Sequence, residues 1–146
     1  VVSVEATIVV PADRALVWDR WSGLPAWPDW NPHCLDVDME RPVEVGAVIG
    51  FRLRHPRGTP FLTRPGITEI APGERMAWEA RSLGLRAPVE AELADEHDGT
   101  RLTVRTDAVG SLAMTYKMTL SEKAQARLWA GVLEALRESV TEGSPA

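Results

Sequence analysis

Three histidines, one tyrosine, one cysteine and six tryptophans are the side chains of this chain best suited to chemistry or to stacking on a ligand. His33, His55 and His97 each offer an imidazole that changes charge near neutral pH and can move a proton. No pair of them stands at metal-ligand spacing with a third ligand nearby, so neither a metal nor an organic cofactor is expected. Cys34 follows His33 directly, which invites an activated thiolate. Neighbours on an extended strand point to opposite faces, however, so the two would not touch. Arg64 precedes Pro65 and Gly66, a break at which a bulge could turn a strand arginine inward. In apolar surroundings its guanidinium would stabilise an enolate oxygen. Tyr116, in "SLAMTYKMT", carries a phenol able to bond a ligand carbonyl or phenolate. Asp29 reads as a turn cap rather than a base, and His97, ahead of a tight turn, as an exposed loop residue.

The aromatic surface is concentrated. Trp18, Trp21, Trp27 and Trp30 fall within thirteen residues, interleaved with Pro25, Pro28 and Pro32, in a chain with only two phenylalanines. Prolines stiffen such a turn, so its rings would be presented at little entropic cost. Stacking on a flat ligand would then add about 0.5–1.5 kcal/mol beyond buried area. The same rings could equally plug one end of a core. For Trp27 and Trp30 both readings stand; the spacing of Trp18 suits core packing.

These residues must be held by one domain. At 146 residues the chain has room for a real core without disulfides or metal, and residues 1–142 read as a single domain with a tail at 143–146. A composition of 45% hydrophobic and 25% charged residues is that of a soluble globular protein. The net charge of −5, with scattered arginines, argues against a nucleic-acid partner. One cysteine, no run of about 18 apolar residues and no basic leader predict a cytoplasmic protein without stable membrane association. Monomer and homodimer both remain open.

Residues 3–10 alternate Val4, Ala6, Ile8 and Val10 against polar neighbours, as a strand does. Pro11 and Asp13 suit the start of a short helix with Ala15, Leu16, Trp18 and Trp21 as its stripe, and Gly23 with the following prolines breaks it into a second short helix. From 35 to 109 the period is two, with turn signals about every ten residues. Strands are predicted at 35–40, 46–55, 61–71, 75–81, 85–96 and 100–109, with Asp98-Gly99 as a type I′ hairpin signal. The period then changes. Leu120, Ala124, Leu128, Val132, Leu136 and Val140 predict an amphipathic helix of about twenty residues, capped by Thr119–Glu122 or Ser121 and closed by Gly143 and Pro145. Seven antiparallel strands followed by one long helix predict an α+β fold, a curved sheet wrapped around its last helix with a hydrophobic cavity between them.

Three stretches carry a family resemblance. "VPADRALVWDRWSGLPAWPDWNP" resembles the opening of the polyketide cyclase/dehydrase group of the START-like, or helix-grip, superfamily. "ITEIAPGERMAWEA" is similar to that group's Val-Thr-Glu … Pro … Leu-x-Trp hairpin, and "HDGTRLTV" to its Asp-Gly-Thr-x-Leu-Thr turn. All three lie in register with the long helix, so the resemblance spans about residues 3–140. It implies a cavity capped by the tryptophan turn, with His33 and His55 on its rim and Tyr116 passing over it. For both histidines the plain alternative is a solvated rim residue.

With those faces assigned, apolar strand residues point inward, because burying an unpaired guanidinium costs several kcal/mol while each large apolar side chain gains about 1.5–3 kcal/mol. The predicted ligand-binding set is Trp27, Trp30, His33, Phe51 and Leu53 on the turn and first strands. Trp78, Ala80, Val89, Ala91, Leu93, Val104 and Thr106 follow on the later strands, and Leu128 and Val132 on the helix. His55, Tyr116 and Arg64 are the catalytic candidates. The resemblance implies a hydrophobic, aromatic or poly-carbonyl small molecule as partner and assistance of its cyclisation and dehydration. A non-catalytic carrier or sensor of such a molecule or a lipid, and a chaperone-activator-like interaction module, are the alternatives, since this fold hosts all three.

Overall fold

The computed structural model describes residues 2–40, 42–54, 60–82, 85–108 and 122–142. Strand β1 (Val2–Val10) leads into helix α1 (Arg14–Ser22), a 3₁₀ turn (Leu24–Ala26) and the one-turn helix α2 (Trp27–Trp30). Strands β2 (Cys34–Asp38), β3 (Gly50–Arg54), β4 (Pro60–Thr63), β5 (Gly66–Ala71), β6 (Arg75–Ser82), β7 (Leu85–Glu96) and β8 (Gly99–Ala108) follow, and the long helix α3 (Glu122–Glu142) comes last.

The strands pair antiparallel in two sheets, ordered β1-β8-β7-β6-β5 and β2-β3-β4. The described residues thus hold eight strands, not seven. The predicted strand 61–71 is two strands, because Pro65 has no N–H to continue a ladder. Before it β4 pairs with β3; after it β5 pairs with β6. The predicted strand at 46–55 likewise starts only at Gly50. Residues 46–49 instead form the seam between the sheets: Ile49 N–H donates to the Pro65 carbonyl and Ile67 N–H to the Ala47 carbonyl, each at 2.8 Å.

Two glycines earn their positions. Pro72 and Gly73 turn β5 into β6 with Glu74 N–H bonded to the Ala71 carbonyl at 2.9 Å, and Gly73 has φ +77°, as a type II turn requires. The β7–β8 turn differs from expectation. Glu96 pairs with Gly99, so His97 and Asp98 form the loop, and no non-glycine residue among those described has positive φ. The turn is therefore not type I′. Gly99 is needed because a Cβ there would lie 2.0 Å from the Val10 carbonyl oxygen.

Helix α1 starts at Arg14 and buries Val17 and Trp21, four apart, whereas Leu16 is 40% exposed. Of the predicted stripe Trp21 is buried and Trp18 half-buried against the core, whereas Ala15 and Leu16 face outward and Val17 takes the inner position. The predicted caps of α3 lie outside the described residues. Its inner face follows expectation: Leu128, Val132, Leu133, Ala135, Leu136 and Val140 are buried, and so is Trp129. Across the sheet Met76, Ala91, Leu93, Leu102 and Val104 belong to the same apolar cluster. The opposite face carries an ion-pair ladder over all five strands: Arg75 joins Glu69, Glu90 and Glu92, and Arg105 joins Glu92 and Glu5. Period-two alternation is the origin of both faces.

Candidate functional site

A cavity of about 350 Å³ lies between α3, the turn helix α2 and the strands β3, β4, β6, β7 and β8. Its closed end is aromatic. Trp27, Phe51, Trp78 and Trp129 line it, one each from α2, β3, β6 and α3. Trp21, fully buried behind them, stacks on Trp78 (centroids 5.8 Å apart, planes at 12°) and meets Trp27 edge-on at 4.8 Å. Trp27 is held at a fixed angle, since its indole N–H donates to the Trp21 carbonyl at 2.8 Å. Edge-to-face and offset pairs of this kind add to area burial and set ring orientation. One question left open by the sequence is thereby resolved: the turn plugs the end of the core, and Trp27 is the ring of that turn the cavity meets. Trp30 packs on the far side of Trp27, 5.3 Å between centroids, and lines a surface groove with Leu16 and Asp29 instead.

The mouth is different. Its lining residues that reach solvent are Leu62, Arg64 and Arg81. Pro65, Ala80, Ala87, Pro88 and Val89 form the throat with Thr63. Arg81 is engaged by Glu79 at 2.5 Å, and Glu79 also holds Arg86 at 3.2 Å. Asp107 accepts a hydrogen bond from the Ser3 hydroxyl at 2.5 Å. Deeper in the wall, the buried Thr106 hydroxyl donates to the buried Gln125 side-chain oxygen at 3.3 Å, joining β8 to α3. The interior is thus apolar with one hydrogen-bonded pair, as small-molecule sites are.

Of the predicted ligand-binding residues, Trp27, Phe51, Leu53, Trp78, Ala80, Val89, Thr106 and Leu128 line the cavity. Ala91, Leu93, Val104 and Val132 face the same way but are buried in the solid core beyond it, so they do not line it. His33 is not at the cavity either. Its imidazole rests on Gly131 of α3, where an added Cβ would lie 2.4 Å from Nε2. Burial, and then the Arg54 charge, lowers its pKa below 6.5, so it is neutral at pH 7. Arg64 lines the mouth; His55 and Tyr116 lie outside the described residues. Cys34 is buried, and burial reinforced by Asp36 pushes its thiol up to about 11, the opposite of a nucleophile's environment. Sequence reasoning missed Trp129 and Gln125, which sit one turn apart on the buried face of α3. Gln125 carried a signal, a polar residue on an apolar stripe.

No described helix is long and apolar enough to cross a membrane, and no group of three His, Cys, Asp or Glu among the described residues could hold a metal ion. Solved structures share the fold at low identity. A START superfamily protein from Mycobacterium smegmatis superposes with a TM-score of 0.79 at 15% identity, covering 97% of this chain and 99% of its own. The protein TTHA0849 from Thermus thermophilus gives 0.80 at 14% identity, with 98% and 99% covered. The di-domain ARO/CYC BexL of the BE-7585A biosynthetic pathway gives 0.79 at 20% identity, and 98% of this chain matches 50% of that one. Among curated proteins, none matches the sequence. The family model described as polyketide cyclase/dehydrase and lipid transport matches residues 1–141, and the chain belongs to that family.

Proposed function

We propose that the cavity binds a hydrophobic, aromatic or poly-carbonyl small molecule and assists its cyclisation and dehydration. The observation carrying this reading is the cavity itself: about 350 Å³ walled by four aromatic rings, with the hydrogen-bonded pair Thr106–Gln125 inside and two arginines, Arg64 and Arg81, at the mouth. At interior packing density that space suits roughly 20 non-hydrogen atoms. Rings fixed at set angles hold a flexible chain folded, and orientation alone lowers the barrier of an intramolecular condensation. In the aldol step a C–H α to one carbonyl loses its proton, the carbanion attacks a second carbonyl, and the new alkoxide takes a proton. Loss of water then gives the unsaturated ring. Arg64 is the charge partner for the enolate oxygen, and His55 and Tyr116 are the candidates for the two proton transfers.

One observation favours a carrier instead. The described lining holds no histidine, and its titratable groups are Arg64, Arg81 and Asp107. Incubation with a short reactive poly-carbonyl chain distinguishes the readings. The cyclase reading predicts a changed ring-closure pattern by mass spectrometry, lost in His55→Ala or Tyr116→Phe while ligand affinity is kept. Unchanged product with retained binding leaves the carrier. A protein that binds no small molecule leaves the interaction module.

A further inference from the structure

We infer that the occupant is an aromatic or poly-carbonyl acid, bound rings first, with its carboxylate at the mouth against Arg64. This rests on the reading of the cavity as a ligand site and adds the ligand's charge and direction. The strand arginines Arg52, Arg75, Arg81, Arg86, Arg101 and Arg105 each have a carboxylate partner. Among the described residues, Arg54 at the end of β3 and Arg64 in the β4–β5 connection have no carboxylate partner. Arg54 is outside the cavity, whereas Arg64 lines it. Of the other charges at the mouth, Arg81 is matched by Glu79, and Asp107 is hydrogen-bonded by Ser3. Among the described residues, Arg64 is therefore the cation at the mouth that a ligand can satisfy.

Position strengthens the point. Arg64 stands where the chain leaves the small sheet at Thr63 and enters the large one at Gly66, beside the exposed Leu62. The chain changes sheet there, and the rim offers an apolar side chain next to a cation. At the other end every lining ring is buried, and among the described residues no charged one lines it. A charge carried to that end would lose its hydration without a partner, which costs several kcal/mol. An ionised ligand thus has one favourable direction. A guanidinium takes a carboxylate through two parallel N–H···O bonds. In a β-keto acid the first ketone lies two bonds beyond the carboxylate, so the fork also reaches the oxygen on which an enolate would form.

Isothermal titration calorimetry at low salt with 9-anthracenecarboxylate and its neutral amide tests this. The acid is expected to bind about tenfold more tightly than the amide. Arg64→Gln should remove that preference and leave amide affinity unchanged, and Arg64→Lys should keep part of it. Amide binding equal to or tighter than acid binding overturns the inference while the cavity reading stands. So does an acid preference that survives Arg64→Gln. Failure of both probes to bind the folded protein overturns the inference together with the cavity reading.

Discussion

The two ends of the cavity are built from different physics. At the closed end Trp21, Trp27, Phe51, Trp78 and Trp129 come from five elements and lock one another at centroid distances of 4.8–6.5 Å. At the mouth Leu62, Arg64 and Arg81 are exposed, from β4, the β4–β5 connection and β6. The closed end therefore contributes stability and a shaped floor, while the mouth contributes little stability and most of the electrostatic selectivity. A substitution should move folding or recognition according to which end it touches.

The largest effect is expected at the floor. Trp21→Ala removes a fully buried ring with three aromatic neighbours, and urea denaturation should show a loss of about 3–5 kcal/mol. Trp30, half-buried and outside the cavity, should cost far less when truncated, and equal losses would remove the distinction. In the throat, Ala80→Phe fills the cavity from a half-buried position. Ligand affinity should drop by about tenfold or more, equivalent to about 1.4 kcal/mol, with a smaller change in folding stability.

Away from both ends, Gly131→Ala sharpens the contrast. Alanine is favoured over glycine in a helix by about 1 kcal/mol, but here its Cβ meets the His33 ring. The substitution should destabilise the parent and stabilise a His33→Ala background, a change of sign that a double-mutant cycle reads directly. His33 gives the smallest effect. Its pKa is lowered in the folded protein, so below 6.5 the unfolded chain binds more protons and stability falls as pH drops. Urea midpoints at pH 5 and pH 7 should differ less in His33→Gln than in the parent.

Much of this was legible from period and pattern. Alternation placed Phe51, Leu53, Trp78 and Thr106 on the inner face, and the fourfold spacing placed Leu128 and Val132 on the helix's buried stripe. What alternation cannot report is depth along the face. Val89 and Ala91 point the same way, yet only Val89 lines the cavity, because Ala91 lies fully buried in the apolar core. The division at Pro65 was visible as a break, but whether a break makes a bulge or a change of sheet depends on which partner strand each half finds. Small side chains alone do not mark space either: Ala80 and Ala87 line the cavity, whereas Ala91 is fully buried in the core.

The space between sheet and helix is proposed as a ligand site. Native mass spectrometry of the purified parent and Ala80→Phe proteins, each incubated with 9-anthracenecarboxylate, tests it most directly. A one-to-one adduct is expected on the parent and should be lost or strongly reduced in the filled variant. An adduct of equal abundance on both proteins, or on neither, would contradict it.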